Sequence, residues 1–346
     1  MQPARHAWGL PETLRLLAEL PRAMALAPPA FRESMVLRTG IERQIPQIIE
    51  ELYVAREAVR RVRPRAVVVG NVTTPDGRAL VRAAREVGAP VFAIQHGHLE
   101  IRDPTWDRAD FDRMLLWGEV SRDVLVARGI PRERLLVVGA PWLDAVPVHE
   151  GPTYPPTQPT ALLALSGAGH SVGLAEHRAI VGRVIEAARE LPSLRWNVRV
   201  HRKDDPRLYE PLRALGARVE QIGERRPIAL DLAEAHVLVT VGSTTALDAM
   251  LADVPALTLA RENGDEAGYV DAGGVVKVEV GASLARALTE VVQTGAPETR
   301  ARARQYVGRY FGRRDGRAAH RSVEALLPSL TSERARSERS ESRSPA

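Results

Sequence analysis

Four short stretches place side chains capable of chemistry directly after apolar runs. In FAIQHGHLE (92–100), His96 follows Gln95 and precedes Gly97, with His98 and Glu100 close behind. A histidine can take a proton near neutral pH, and His98 or Glu100 can orient it or replace it. In WNVRVHRKDDP (196–206), His201 stands among Arg199, Arg202 and Lys203. Such cations can neutralise a diphosphate and its leaving-group charge; they would serve equally as a solvated charged turn. If the strand persists, His201 and Lys203 face one way and Arg202 the other. VGSTTALDAM (241–250) sets Gly242, Ser243, Thr244 and Thr245 before a helical pattern that includes Asp248. The free N–H groups of a helix start favour negative charge. Hydroxyls there can add donors to a phosphate, and at least one is expected to cap the helix. LSGAGHS (165–171) has the same layout. Gly167 and Gly169 let backbone approach a ligand closely, or simply make a turn.

Composition narrows the chemistry. The 346 residues contain no cysteine, which excludes thiolate catalysis, disulfides and cysteine-based zinc sites. A His96/His98 pair lacks an evident third ligand, so no metal is expected. GxSxG, Walker A and GxGxxG motifs are missing, which argues against esterases, kinase-type NTPases and ordinary nicotinamide enzymes. Lys203 and Lys277 are the only lysines, so arginine supplies nearly all of the 48 basic residues. The formal charge of +5 suits a phosphate-bearing substrate or an anionic surface. The charges are spread out, without a basic block next to aromatics, so nucleic acid is not expected as a partner.

The elements that must position these residues alternate. AVVVG (66–70), PVFAIQHG (90–97), DRMLLWG (112–118) and ERLLVVGAP (133–141) contain strands, separated by helices such as 78–88, which Gly88 stops, and 121–129, capped by Ser121 and closed by Gly129. A helix from residue 44 to near Pro64 precedes them. Residues 147–160, with five prolines and no period, look like a linker. Alternation then restarts: strands at 161–167, 196–201, 236–243, 255–260 and 274–280, helices between them, an edge strand after 211–217, and a long helical region over 298–327. The fold class expected is α/β, two Rossmann-like parallel-sheet domains facing across a cleft. The first spans 1–150 and the second 151–330, with a charged, low-complexity tail at 331–346 expected to be disordered. Ligands of such sheets sit beyond the C-terminal strand ends. No apolar run reaches the roughly 20 residues a bilayer needs, and the start lacks a signal-peptide layout, so a cytoplasmic protein is expected. The segment LPETLRLLAELPRAMALAPP (10–29) can lie against lipid as an amphipathic helix or pack on the protein.

Together these stretches resemble the GT-B superfamily of nucleotide-sugar enzymes. Within it they are most similar to capsule and teichoic-acid type transferases, which include the CDP-glycerol glycerophosphotransferases and bacterial polysialyltransferases. QHG at 95–97 resembles the family's [WQ]-H-G segment, the basic strand end at 199–206 its "HP" segment, and VGSTTALDAMLADVP its S-S/T…E…G-x-P segment. YFGRRDGRAAHRSVEAL (310–326) resembles its final helix with a D-G-x-A turn. The resemblance covers about 62–327. It implies His96 as base, phosphate held by Arg199, His201, Arg202, Lys203, Gly242, Ser243, Thr244 and Thr245, and Asp248 on a ribose, with Glu266 a further candidate for the donor sugar; Gly167 joins them as a candidate from its place at a strand end. It implies no cofactor beyond the nucleotide-sugar substrate. The partners implied are that donor and a glycan or lipid-linked acceptor, with room for peripheral membrane contact and a homodimer. Three departures stand out: His201 is not followed by proline, Asp248 replaces a glutamate, and Asp253 replaces the glycine before Val254-Pro255. The chain also resembles nonhydrolysing UDP-N-acetylglucosamine 2-epimerases, through 68–91 and LARENGDEAGYVDAGG (259–274). Their G-D segment, however, reads Gly70-Asn71 here, and their histidine-glutamate strand end is replaced by IQHG.

Overall fold

The computed structural model describes residues 35–99, 106, 109–146, 151–167, 172–202, 204–221, 227–260 and 268–328. The amphipathic segment at 10–29 and the tail at 331–346 lie outside them. Short valine- and leucine-rich runs form strands, and each connection returns the chain to the same edge, so every strand pair is parallel.

The first sheet is built from α1 (Met35–Val62), β1 (Val67–Val69), α2 (Pro75–Glu86), β2 (Val91–Ile94), β3 (Arg113–Leu116), α3 (Glu119–Ala127) and β4 (Leu135–Val137), in the order β1-β2-β3-β4. Proline at the first helical position and Asp76 in the first turn start α2, and Gly88 at φ 73° ends it. α1 begins earlier than the apolar period suggests. Its Ala55 and Val59 pack on Ala79 and Ala83 of α2. Ser121 is not a cap: Gly118 holds that position, and Ser121 lies buried inside α3.

The second sheet comprises β5 (Thr160–Ala164), α4 (Leu174–Glu190), β6 (Arg195–Val200), α5 (Glu210–Ala214), β7 (Arg218–Gln221), α6 (Ile228–Ala233), β8 (Val237–Thr240), α7 (Thr245–Leu251), β9 (Ala256–Leu259) and β10 (Val276–Val278), followed by α8 (Leu284–Thr294) and α9 (Pro297–Phe311). Its order is β10-β9-β8-β5-β6-β7. Both faces are covered, so β5 and β8 are continuous apolar runs rather than alternating ones. Leu163, Val198 and Val239 face one core with α4 and α8; Leu162 and Leu238 face another with α7 and α9. Burying each leucine contributes about 1.5–3 kcal/mol.

Two expectations are corrected. The helical region at 298–327 breaks: α9 stops at Phe311, Gly312 takes φ 70°, and a separate helix, α10, covers 318–328. α10 crosses back to the first sheet, where Ala318 and Ala319 N–H groups donate to Asp144 and Arg321 donates to the Val138 carbonyl. The proline-rich segment is not a free linker over 151–159. Tyr154 donates to the His236 carbonyl, lies under the Arg300 guanidinium, and fills the space beside Gly295.

Candidate active site

The strand order of the second sheet reverses between β5 and β8, and the carboxyl ends of adjoining strands open there into a crevice. A cavity of about 460 Å³ occupies it. Ser166 and Gly167 after β5, Arg199, His201 and Arg202 from the end of β6, Ile228 of α6, and Ser243, Thr244, Thr245 and Asp248 after β8 line it. Residues separated by up to 84 positions thus meet because three parallel strands end side by side.

Each wall has a local cause. Along β6, Trp196, Val198 and Val200 are buried while Arg199 takes the opposite parity. That side faces α6, where buried Asp231 pairs with Arg199 and lies 4.0 Å from Arg218. Asp231 escaped the sequence reading, since nothing local links it to residue 199. β6 stops at Val200, so the alternation expected for 201–203 does not continue, and His201 and Arg202 both line the cavity. The imidazole lies directly on Gly167: a Cβ there would sit 2.0 Å from His201 Nδ1. The turn that carries His201 has no proline directly after the histidine and is braced by side chains. The Asp204 N–H donates to the His201 carbonyl, and the buried Asp204 carboxylate accepts from Tyr209 Oη at 2.9 Å and lies 3.3 Å from His177 Nε2.

The hydroxyls after β8 divide between the helix start and the cavity. Gly242 at φ 47° makes the turn out of β8. Ser243 Oγ accepts from the Thr245 N–H at 3.3 Å and shares a hydrogen bond with Thr245 Oγ1. Thr244, at the cap position, makes no side-chain cap bond and is exposed. One hydroxyl therefore serves the helix start, and another is open to the cavity. The loop is pinned from outside: Tyr269 Oη donates to the Ser243 carbonyl, and Ser166 Oγ to the Val241 carbonyl. Asp248, half-buried beside them, has its carboxyl pushed up to about 6 by burial, with Arg199 pulling it down.

His96 does not line this cavity. It stands exposed at the end of β2 in the first sheet, with Nε2 3.2 Å from Asn71 Nδ2. Buried Gln95 shapes its turn, donating to the Gly97 carbonyl and accepting from the Trp117 N–H. His98 is engaged elsewhere, 2.7 Å from Tyr310 Oη of α9 with the rings stacked. It thereby ties the first sheet to the second domain. Glu100, Lys203 and Glu266 lie outside the described residues. Asp253 takes φ 55°, a left-handed conformation that favours glycine, and its carboxylate is held by Arg300 and by Arg304 at 2.9 Å. Among the described residues, no group of three or more His, Asp or Glu is placed to hold a metal ion, and no helix is long and apolar enough to cross a membrane.

No family model matches the sequence, and no curated protein matches it. Solved structures do match. A putative UDP-N-acetylglucosamine 2-epimerase from Listeria monocytogenes superposes with TM-score 0.58 at 17% identity, over 83% of this chain and 80% of that one. The UDP-GlcNAc 2-epimerase of Neisseria meningitidis, bound to UDP-GlcNAc, gives 0.58 at 18% over 81% of each. Anabaena HepE, in complex with UDP and glucose, gives 0.52 at 13% over 84% and 83%. Both parallel sheets are spanned in each case. The fold is GT-B. In GT-B terms the 460 Å³ cavity belongs to the C-terminal sheet and His96 to the N-terminal one.

Proposed function

We propose that this GT-B chain transfers a sugar, or a polyol phosphate, from a nucleotide-activated donor to an acceptor hydroxyl in surface polysaccharide, glycolipid or related glycan synthesis. The observation that carries the reading is the switch-point cavity, which gathers a histidine, two arginines and four hydroxyls around one opening. Such a lining suits a diphosphate. That compared GT-B structures hold UDP-GlcNAc or UDP is in keeping with a nucleotide donor. Arg199 is already matched by Asp231, so Arg202, His201 and the Thr244 hydroxyl meet most of the departing charge. Asp248 receives the ribose hydroxyls.

In the reaction the acceptor oxygen forms a bond to the donor's anomeric carbon as the carbon–oxygen bond to the diphosphate breaks. The nucleoside diphosphate leaves with the electron pair, and His96 takes the acceptor's proton. With a polyol-phosphate donor the attack is on phosphorus and a nucleoside monophosphate leaves. No metal is needed in this reading, and closing the cleft would exclude water. Enzyme, donor class and cytoplasmic placement are parts of this one proposal.

A second reading, an epimerase acting on UDP-N-acetylglucosamine, is favoured by the higher TM-scores of the epimerase structures. Asn71 counts against it, because an amide supplies no proton at the position where the resemblance expects a carboxylic acid. Melting curves with CMP, CDP, UDP, GDP, TDP and their sugars separate the readings, because a ligand of the folded state raises apparent stability. The transferase reading expects a rise with one nucleotide, lost in Ser243→Ala/Thr244→Ala, and turnover only when an acceptor is supplied. Isomerisation of the donor sugar without acceptor would establish the epimerase instead. No rise with any nucleotide would remove the donor assignment.

A further inference from the structure

The hydrogen bonds around Asn71 decide which nitrogen of His96 carries its proton. Asn71 Oδ1 accepts from the Thr73 N–H at 2.9 Å and from the Thr73 hydroxyl at 2.8 Å. The backbone N–H can only donate, so the amide cannot be turned around without losing that bond and setting its NH₂ against an N–H. Its NH₂ group therefore faces His96, with Nδ2 at 3.2 Å from Nε2. A donor facing Nε2 requires a lone pair there, which puts the ring's proton on Nδ1. The loop holding Asn71 is itself fixed. It lies so close over the start of α2 that a Cβ at Gly77 would sit 1.7 Å from the Asn71 carbonyl oxygen.

We propose that Asn71 is a positioning residue that sets the tautomer of His96, reserving Nε2 as the proton acceptor. The inference rests on the transferase reading of the preceding section and deepens it. Before the acceptor arrives, the amide N–H occupies Nε2 and opposes a proton there. The acceptor hydroxyl takes the place of the amide at Nε2. As its oxygen bonds to the donor, its proton passes to Nε2, and Nδ1 keeps the one it had. An aspartate at this position would do the reverse. It would keep the two bonds from Thr73 but accept from Nε2–H, moving the ring's proton onto the nitrogen that must take one.

The test uses the full chain labelled with ¹⁵N-histidine, with His96→Gln to assign the signals. In the parent protein at neutral pH, His96 should show a protonated Nδ1 and a lone-pair Nε2. In Asn71→Asp the pattern should invert or become that of the imidazolium, and in Asn71→Ala the two tautomers should mix. Asn71→Asp preserves the loop's bonds, so folding is not the variable. With a working donor it should lower kcat by about 100-fold, the scale of one general base, while the donor KM changes less than threefold. A parent protein with Nε2 protonated, or signals identical in Asn71→Asp, would overturn the proposal. The expected spectra together with no transfer from any donor would instead overturn the transferase reading, leaving the Asn71–His96 contact intact.

Discussion

Replacing Gly167 by alanine tests the cavity with a single methyl group. The added carbon would start 2.0 Å from His201 Nδ1, whereas ordinary contact begins near 3.4 Å, so the imidazole must retreat by about 1.4 Å. Gly167 does not have positive φ, so backbone strain does not enter. Overpacking of this kind costs about 1–3 kcal/mol. His201 is only part-buried and can swing outward, which puts the loss near 1 kcal/mol. The effect on the site is larger, since misplacing a contacting group by about 1 Å costs on the order of 100-fold. Calorimetric titration of the nucleotide that stabilises the parent should therefore show binding weakened by about 10–100-fold in Gly167→Ala. The melting temperature should drop only a few degrees. Gly182→Ala is the control: it lies inside α4 with open space around the new methyl, and it should gain about 0.5–1 kcal/mol. If Gly167→Ala binds nucleotide as tightly as the parent, His201 does not contact phosphate, and the assignment of the basic wall is wrong.

Other outcomes follow from the same geometry. Asp231→Ala removes the buried carboxylate paired with Arg199, and chemical denaturation should register a loss of about 3 kcal/mol; a loss under 1 kcal/mol would mean that the pair is not holding the wall. Asp248 has its carboxyl raised from 3.8 to about 6, so between those values the native chain holds a proton the unfolded chain has released. Stability from this group is greatest on the acid side and falls as pH rises through about 6. Asp248→Asn cannot ionise and should be more stable than the parent at pH 7.5, by about 3 kcal/mol, with the advantage shrinking toward pH 4; an advantage equal at both pH values would refute the shift. At position 253 the left-handed φ and the two arginines separate cleanly: Asp253→Gly and Asp253→Ala both lose the ion pairs, but only alanine keeps the strain. Alanine should be the less stable by about 1 kcal/mol, measured by denaturant midpoint; equal midpoints would mean the backbone relaxes.

Most of the frame was legible in the sequence because its signals are local. A run such as ALLAL or HVLVT must be buried on both faces to be stable, and glycines at 88 and 129 end helices at positive φ. The stretches ending in His201 and Ser243 could be paired because parallel strands deliver their ends to one edge. What escaped depends on contacts between distant elements. Asp231 looks like any helical acid until α6 lies against β6. Asp204, His177 and Tyr209 form a buried trio only because α4 passes over the turn after β6. Asn71 was noted as a lost carboxylate, but its bond to His96 depends on two loops of the first sheet meeting. The break at Gly312 was marked only by the D-G-x-A turn of the resemblance, since residues 313–317 are as polar as an exposed helix face.

The return of the last helix to the first sheet orders events during synthesis. Asp144 waits for Ala318, 174 residues later, before its carboxylate finds its N–H partners. Ribosomes add roughly 5–20 residues per second, so that interval is on the order of 10–30 seconds. The Gly118 turn likewise lies against the carbonyls of Arg309 and Tyr310, at the far end of α9. Throughout that time the first domain exists without its cover, its Trp117 lacking Phe311 and its Val138 lacking Arg321. A nascent chain stalled just before residue 300 should be protease-sensitive in the first domain, and the same domain should become resistant only once the chain is released past residue 328. The two halves are therefore not beads made in sequence: the first is sealed by the end of the second.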